Sequence, residues 1–381
     1  MKRERTKPED FIVEEIDYTG RVLKIDEKEK RENKEGEFTQ FVLQKKNWNT
    51  IQALNAVAKA LGKSKKSLSS AGNKDRNAIT TQLCSVYNVK PEELMNLKIK
   101  DIQINGAWNS KDKIAMGKLK GNRFTIKFKK NPPKEVVIPN EFGPQRFGSM
   151  RKNTAKIGKF MIKGEFKKAV ESYLCEGSDE SKKQRQKLKK DKNYKKALEY
   201  FPKFLRYERL MIEHLSQHPN DYVGAIRKLP RTLQLLFIHA YQAKLFNEEI
   251  EKRNNFKKNK NEYYCGADEQ GFPNMQKIRA SEKKAKKGEA FVVGNIIGSN
   301  TLLNKTEKEI LKNEAIEKEK FNLKSMPELS SRGSTRPLTI FVKIKKEGDK
   351  ITFSLPPGSY ATTVLKHLKP SKRASQNKGR G

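Results

Sequence analysis

The chain has 381 residues, of which 83 are Lys or Arg and 45 are Asp or Glu, and its formal net charge is +38 at pH 7. This length predicts roughly two or three packed domains, and the hydrophobic residues recur in periodic patches, as in a folded protein. So much positive charge favours a polyanionic partner such as a phosphate backbone, although a lysine-rich proteome bias would produce it without any ligand. No apolar run is long enough to span a bilayer, so the sequence excludes a membrane-spanning protein and predicts no membrane partner.

The three cysteines bear on the cellular compartment. Cys84, Cys175 and Cys265 are far apart and form no CxxC pair. This spacing argues against a disulfide framework and against a structural zinc site, and it favours a reducing compartment. The first five residues lack the apolar core of a signal peptide. Together these observations predict a cytoplasmic protein.

The first part of the chain is predicted to consist mainly of strands. Alternating apolar residues predict strands at 11–16, 38–43, 79–87, 99–104 and 124–128. A helix is predicted between the first two and the third, with Asn49 or Thr50 as its cap and Gly62 at its end. Its apolar face would consist of Ile51, Leu54, Ala58 and Leu61. Gly121 and Asn122 predict a turn before the last of these strands.

Beyond Gly148 the pattern changes to helices. They are predicted at 153–175, 182–200 and 203–217, and from Pro230 to about Arg253. A short apolar segment follows at 291–297, and strands resume at 338–344 and 351–355. This order predicts an α+β fold, in which the chain leaves a sheet domain for a largely helical insertion and returns to complete the sheet. The basic tail, 369–381, is predicted to be disordered.

Asp75 is the first candidate for chemistry. It lies between Lys74 and Arg76, after a Gly-Asn turn and before the strand that begins at Ile79. Neighbouring cations favour the ionised form of a carboxylate, and an ionised carboxylate can act as a nucleophile or a base. The alternative is a surface turn with an ordinary charge cluster, and the spacing alone favours that alternative.

The segment 140–148 is the second candidate. It combines two aromatic residues, two glycines, an arginine and two amides within nine residues. Rings stack on an unstacked base, amides hydrogen-bond to its edge, and glycines let the backbone approach a ligand closely. Alternatively, Phe142 and Phe147 are core anchors of an irregular loop. The residue types alone leave these two interpretations balanced.

Basic residues supply candidates for contact with RNA. The segment 182–196 contains nine Lys or Arg residues and is either a helix that follows a phosphate backbone or a solvated face. The net charge favours contact with RNA. The candidate contacts are Arg76, Arg146, Lys187, Lys189, Lys190 and Lys192.

Several cofactor classes lack their sequence motifs. The chain has neither a GxGxxG after a predicted strand nor a GxxxxGK[ST], so nothing indicates a dinucleotide, S-adenosylmethionine or ATP site. His214 and His218 have a spacing that is compatible with a metal on a helix. Without HExxH or a nearby Cys pair, they are better explained as solvated or capping histidines. We therefore expect neither a cofactor nor a bound metal.

Four segments together resemble the TruD family of tRNA pseudouridine synthases. They are 7–15, 71–78, 140–148 and 241–247. Two lesser matches occur at 119–124 and 355–362. All six appear in the family order and cover nearly the whole chain.

The resemblance implies that the chain isomerises uridine to pseudouridine in tRNA, typically at position 13 in the D arm. It places the family's catalytic aspartate on Asp75, its active-site aromatic residue on Phe142 and its asparagine on Asn140. A further family aromatic residue falls on Phe11, and a basic residue, usually lysine in bacterial members, falls on Arg5. Lys74, beside the aspartate, is taken as a further supporting residue.

The resemblance also implies a domain organisation. A catalytic domain with a mixed, mainly antiparallel sheet would comprise 1–155 and 331–368. A largely helical TruD-type insertion domain, 156–330, would interrupt it, with RNA held in the cleft between the two. The implied partner is tRNA, and no protein partner is indicated.

Other functions compete with this one. A non-catalytic basic protein that binds tRNA or ribosomal RNA would explain the charge, but not Asp75 together with the segment 140–148. A methyltransferase would need a Gly-rich cofactor loop, which the sequence lacks. A degenerate family member acting as a tRNA chaperone is disfavoured because Asp75 is retained.

Overall fold

A computed structural model describes residues 7–148, 151–177, 181–253, 255–278 and 289–368. We predicted a role for Arg5 and disorder for the tail 369–381. Both lie outside the described residues. The chain forms two compact units. The first comprises Met1–Ile138, Asp268–Phe272 and Ile340–Gly381, and the second comprises Pro139–Ala267 and Pro273–Thr339.

An eight-stranded sheet forms the first unit. Its strands, numbered along the whole chain, are β1 (Phe11–Asp17), β2 (Phe38–Lys46), β3 (Leu68–Ser70), β4 (Ile79–Tyr87), β5 (Ile102–Ser110), β6 (Leu119–Lys127), β13 (Lys345–Glu347) and β14 (Lys350–Leu355). The order is β13-β14-β6-β1-β4-β2-β5, with β3 beside β4. Only β1 and β4 pair in parallel within this sheet, and the other pairs are antiparallel. The sheet is therefore mixed and mainly antiparallel, as predicted, and β14 confirms that the returning chain completes it.

This unit contains further elements besides that sheet. They are a two-stranded pair, β7 (Glu135–Pro139) with β12 (Thr339–Lys343), and the helices α1 (Thr50–Ala60), α2 (Pro91–Met95) and α11 (Ala361–His367). Asn49 caps α1, since its side chain accepts a hydrogen bond from the Gln52 N–H. The predicted apolar face was wrong at Ile51, which is 63% exposed. Thr50 takes the inward position instead, where its hydroxyl is hydrogen-bonded to neighbouring elements.

The predicted turn at Gly121 and Asn122 was also wrong. Both residues lie within β6, where β1 pairs on one side and β14 on the other. A Cβ atom at Gly121 would lie 2.5 Å from the Leu355 carbonyl oxygen. This glycine therefore permits a close approach of strands and does not mark a turn.

The second unit is largely helical, as predicted, but it also contains a sheet. Its helices are α3 (Thr154–Lys163), α4 (Phe166–Cys175), α5 (Lys182–Asp191), α6 (Tyr194–Tyr200), α7 (Arg206–Gln217), α8 (Tyr222–Arg227), α9 (Arg231–Lys252) and α10 (Lys305–Glu314). A four-stranded sheet has the order β11 (Ser334–Pro337), β10 (Ala290–Ile296), β8 (Tyr263–Ala267) and β9 (Pro273–Asn274). From the sequence we noted only the short apolar segment 291–297, which contains most of β10, and we did not predict it to be a strand, while the other three strands are short and carry no clear alternation.

Two predicted helices are each divided into two. The segment 153–175 breaks at Gly164 (φ 79°), and 182–200 breaks at Lys192 (φ 48°). A left-handed residue ends a helix, and periodicity alone does not reveal one that is not glycine. The long helix α9 packs against α3, where a Cβ atom at Gly158 would lie 2.0 Å from the Phe237 carbonyl oxygen.

The boundaries between the units differ from those that we expected. The chain divides at 138/139 and 339/340, not at 155/156 and 330/331. Hydrogen bonds account for the difference. Asn140 bonds to Arg336, and Phe142 bonds to Asn247 on α9, so these segments pack with the second unit.

Two buried glutamates of the second unit bond to one arginine, and a third buried glutamate, Glu307, lies close to both glutamates. Arg253 donates hydrogen bonds to Glu249 (2.9 Å) and to both carboxylate oxygens of Glu262 (2.6 and 2.9 Å). Glu307 completes a capping box with Asn304 at the start of α10. Among the described residues, Glu249 Oε2 and Glu307 Oε1 are buried without a hydrogen-bond partner. Burial, and then the nearby Glu249 charge, raises the pKa of Glu307 to about 7.

We expect Glu307→Gln to change the free energy of unfolding more favourably at pH 8 than at pH 5. Because the pKa of Glu307 is raised in the fold, the folded protein retains a proton that the unfolded chain releases between about pH 4.5 and 7. Wild-type stability therefore falls as pH rises through this window, by roughly 2–3 kcal/mol, and a neutral Gln removes that loss. Urea unfolding of both proteins at the two pH values measures this.

The exposed Glu309 lies on the same helix and provides the control. Glu309→Gln should change the free energy of unfolding equally at pH 5 and pH 8. An equal change for Glu307→Gln at the two pH values would contradict the raised pKa of Glu307.

Candidate active site

In the first unit, site residues lie at the same end of three neighbouring strands. Asp75 is half-buried and precedes β4 by four residues. The parallel neighbour β1 aligns Ile12 with Ile79, so Phe11 lies at the same end of the strands. The strand β2 runs in the opposite direction and aligns Lys45 with Thr80, so its carboxyl end also lies there.

A buried ion pair anchors the segment that carries Asp75. Lys74 Nζ lies 2.6 Å from Glu15 Oε2, and both side chains are buried. The other carboxylate oxygen of Glu15 accepts a hydrogen bond from the Leu83 N–H at 3.0 Å. Burial raises the pKa of Glu15, and the Lys74 charge opposes that rise. Lys74, predicted to support the site, therefore points into the sheet, and its ion pair fixes the chain directly before Asp75.

The backbone of the same segment is held as well. Thr50 Oγ1 accepts a hydrogen bond from the Lys74 N–H at 2.9 Å and donates one to Gln82 Oε1 at 2.9 Å. Gln82 Nε2 donates in turn to the Gly72 carbonyl oxygen at 3.1 Å. The helix α1 and the strand β4 thus hold the turn from two sides.

Lys45 is a site residue that we did not predict. Its side chain is fully buried, and Nζ donates to the carbonyl oxygens of Trp48 (2.6 Å) and Asp75 (2.9 Å). Burial lowers the pKa of Lys45 to about 8, while the Asp75 charge acts in the opposite direction. A signal existed in the sequence, because Lys45 is in phase with the buried Phe41 and Leu43.

The other predicted residues of this unit lie near the same strand ends. Phe11 is partly buried, and its ring contacts that of Phe124 edge-on at 6.2 Å between centroids. Arg76 is exposed, directly after Asp75.

Asn140 lies in the second unit, and its polar groups are engaged there. Its backbone N–H donates to the Leu338 carbonyl oxygen at 2.8 Å, and Nδ2 donates to the Pro337 carbonyl oxygen at 2.9 Å. Arg336 donates to Asn140 Oδ1 at 2.8 Å and to its carbonyl oxygen at 3.2 Å. We did not predict Arg336, since no local pattern connects it with Asn140.

Phe142 lies in the same cluster and is only 8% exposed. Its N–H and C=O form a reciprocal pair of hydrogen bonds with the Asn247 side chain, at 2.8 and 2.9 Å. The Arg336 guanidinium carbon lies 4.2 Å from the ring centroid, and Phe246 contacts the ring edge-on at 5.5 Å. The Arg146 guanidinium lies on the same ring at 5.5 Å. The ring is thus held in one orientation beside two cations.

The predicted RNA-binding lysines are exposed along one helix of the second unit. They are Lys187, Lys189 and Lys190 on α5 and Lys192 at its end. The opposite face of α5 is buried through Arg185 and Leu188. The segment is therefore amphipathic, with a cationic outer face. The fold assigns these lysines and Asp75 to different units.

Metal and membrane features can be assessed over the described ranges only. Within them, no group of three or more His, Cys, Asp or Glu residues could hold a metal ion. The His214 ring is hydrogen-bonded to Asp221 at 2.8 Å. None of the described helices is long and apolar enough to cross a membrane.

Comparison with known proteins identifies the family. The family model described as tRNA pseudouridine synthase D (TruD) matches residues 3–368. The chain belongs to this family. Membership makes it a pseudouridine synthase, an isomerase that acts on uridine in tRNA. The α+β fold and the tRNA pseudouridine synthase activity that the sequence motifs implied are thereby confirmed.

Archaeal relatives of the TruD family cover most of the chain. A protein of Methanosarcina acetivorans, named as a probable tRNA pseudouridine synthase D, is 33% identical over 96% of this chain and 91% of its own length. A relative of the same name from Methanopyrus kandleri is 35% identical over 87% and 86%. The crystal structure of a tRNA pseudouridine synthase D from Methanosarcina mazei superposes with a TM-score of 0.72 at 30% identity, covering 96% of this chain and 92% of that one.

We expect Lys45→Met to lower the rate of pseudouridine formation by about a hundredfold while tRNA affinity stays within a few-fold. Methionine fills a similar volume but releases the carbonyl oxygens of Trp48 and Asp75, and a misplacement of about 1 Å can cost this much in rate. Single-turnover kinetics with saturating tRNA measure the effect. The adjacent, more exposed Lys46 gives the control, since Lys46→Met should leave the rate nearly unchanged. A wild-type rate for Lys45→Met would show that the position of Asp75 does not depend on Lys45.

Proposed function

We propose that Asp75 is the catalytic carboxylate of this pseudouridine synthase and that the modified nucleotide is uridine 13 of tRNA. The supporting observation is a half-buried carboxylate on a turn that two buried lysines hold, through the Lys74 side chain and through Lys45 on the Asp75 carbonyl oxygen. The segment 71–78 that carries it matches the family pattern. The alternative, a non-catalytic RNA-binding protein, gives no reason for so extensive a buried network around one turn.

The reaction explains why a fixed carboxylate is useful. The N-glycosidic bond of uridine breaks, the uracil turns, and C5 becomes attached to C1′ where N1 was, while C5 loses its proton and N1 gains one. Asp75 would attack C1′ of the ribose or C6 of the ring, or remove a ribose proton. No group is gained or lost overall, so the chemistry needs no external donor.

The target base must leave its stack before it can react. Flipping costs about a few kcal/mol and requires a pocket that receives the base. We propose supporting roles in catalysis for Phe142 and Asn140 of the second unit and for Phe11 and Lys74 of the first, with Arg5 as the basic residue of the family pattern. The contacts of Phe142 with Arg336 and Asn247 support a rigid ring at this position.

We further assign roles to the two units. The first would be the catalytic domain, because it contains Asp75, and the second would be the TruD-type insertion domain. Contact with tRNA phosphates would fall on Arg76 and Arg146, together with the four lysines of α5. The three cysteines are free, two of them buried, which fits the cytoplasmic location that we propose.

We expect Asp75→Asn to abolish pseudouridine formation while binding tRNA within a few-fold of wild type. Asparagine preserves the shape but removes the ionisable oxygen, which acts on the nucleoside and not on the phosphate backbone. Carbodiimide labelling and primer extension on an initially unmodified tRNA detect the product and its position.

Asp112→Asn is the matched control, since Asp112 is an exposed carboxylate of the same unit. It should leave turnover unchanged. Turnover near the wild-type rate in Asp75→Asn would remove Asp75 from its assigned role, and a product elsewhere than position 13 would overturn the proposed site.

We expect Gln at Lys187, Lys189, Lys190 and Lys192 to weaken tRNA binding and flatten its salt dependence. Each phosphate contact that is lost reduces the number of counterions released on binding. The magnitude of the slope of log affinity against log salt therefore falls by up to about one unit per contact. Affinity measured across a salt series provides the test. Gln at Lys305, Lys308 and Lys312, also exposed on a helix of the second unit, is the control. An unchanged slope in the α5 variant would mean that α5 is a solvated face.

A further inference from the structure

A groove of about 920 Å³ lies in the first unit, outside the Asp75 turn. Its walls are the loop 131–134, the segment 268–272 and parts of β12, β13 and β14. Four lysines line it, together with three phenylalanines: Lys134, Lys343, Lys345, Lys346, Phe272, Phe341 and Phe353. Its volume is at the upper end of ligand pockets, which are about 300–1,000 Å³.

The groove presents mainly positive charge. Its four lysines outnumber its two acidic residues, of which Asp268 accepts hydrogen bonds at Oδ1 from the Gln270 and Phe272 N–H groups, and Glu269 is exposed at 4.0 Å from Lys120. Three of the lysines, Lys134, Lys343 and Lys345, are exposed, whereas Lys346 is bound to carbonyl oxygens of the adjacent loop. Lys345 has Glu347 at 2.5 Å, but both side chains are exposed, so this ion pair is weak. The exposed lysines favour an anionic occupant.

An aromatic ring in the groove narrows the class of anion. Phe341 is partly exposed, and the Lys343 ammonium lies 6.0 Å from its ring centroid. A ring next to a cation suits a nucleotide, whose base stacks on the ring while its phosphate meets the cation. A duplex keeps its bases stacked on one another, so a single-stranded segment fits this arrangement better.

The register of the sheet relates the groove to Asp75. Thr352, which lines the groove, pairs with Thr125, Thr125 with Ile12, and Ile12 with Ile79 at the start of β4. This row crosses three strand spacings, or roughly 14 Å. Asp75 precedes Ile79 by only four residues, so one RNA molecule can contact both the groove and the Asp75 turn.

We propose that this groove binds a single-stranded segment of the tRNA substrate, with phosphates at Lys134 and Lys343 and a base stacked on Phe341. The inference rests on the proposed function, because the tRNA substrate supplies the RNA. The contact is separate from that of the α5 lysines, which lie in the other unit. It would hold the tRNA while Asp75 acts on a different nucleotide.

The test uses the full chain, a short fluorescent oligouridylate, tRNA and inorganic polyphosphate. The double variant Lys134→Gln/Lys343→Gln should lower RNA affinity about tenfold and reduce the salt slope by up to about two. Phe341→Ala should lower oligouridylate affinity about five- to tenfold without changing the affinity for polyphosphate, which has no base. Phe341→Leu, which preserves apolar packing without the ring, should behave in the same way even if the alanine variant folds poorly.

The control is Lys98→Gln/Lys100→Gln, two exposed lysines that precede β5, which is the outermost strand on the side of the sheet away from β13 and β14. It should bind RNA as wild type does. Wild-type affinity and salt slope in the Lys134/Lys343 variant would overturn the proposal. So would a Phe341→Leu variant that binds oligouridylate normally, since the groove would then accept any polyanion.

Pseudouridine formation separates the two levels of inference. The groove variants should raise the tRNA concentration that gives half-maximal modification, whereas Asp75→Asn should abolish the product at any tRNA concentration. If Asp75→Asn kept wild-type turnover, or the product lay elsewhere than position 13, while the groove variants still lost oligouridylate affinity, the proposed function would be wrong and the RNA groove would stand. If Asp75→Asn was inactive and position 13 was modified while the groove variants bound RNA normally, only the groove would be wrong.

Discussion

The buried ion pair between Lys74 and Glu15 determines where the turn before β4 can lie. Breaking one half of such a pair is costly, at about 3–5 kcal/mol, because the other charge is left buried without compensation. The second oxygen of Glu15 is engaged by the Leu83 N–H, so the carboxylate has little freedom to follow a displaced lysine. Thr50 and Lys45 then restrain the backbone on either side. The backbone position of Asp75 is thus a consequence of several buried or partly buried polar contacts.

Much of the fold could be predicted from periodicity, because strands and helices with one buried face carry alternating or helical patterns. The sheet, the helical middle and the returning β14 follow from such patterns. The errors have local physical causes. On α1, the hydroxyl of Thr50 had a hydrogen-bonding role that placed Ile51 outward, and in β6 two neighbouring strands overrode the turn preference of Gly121 and Asn122. The break at Lys192 needs a left-handed lysine, which no composition rule indicates.

The candidate site could be predicted only where its residues are contiguous. Asp75 and the segment 140–148 have distinctive neighbours, so residue type and family pattern were sufficient to select them. Arg336 and Lys45 act through contacts that are distant in sequence. Arg336 bonds to a residue 196 positions away, and Lys45 bonds to one 30 positions away. Burial of a charged side chain in phase with apolar residues is the signal that could have revealed Lys45, whereas Arg336 offers no such signal.

The return of β14 to the first sheet has a consequence for biosynthesis. Thr125 on β6 bonds to Thr352 on β14, which is synthesised 227 residues later. At about 5–20 residues per second, translation of that stretch takes roughly 10–45 seconds. Throughout this interval β6 has an open edge that could pair with another nascent chain. Lys120, Arg123 and Lys127 lie along this strand. Charged side chains on an exposed strand disfavour its pairing with a second chain, so part of the basic character of the chain protects it before its synthesis is complete.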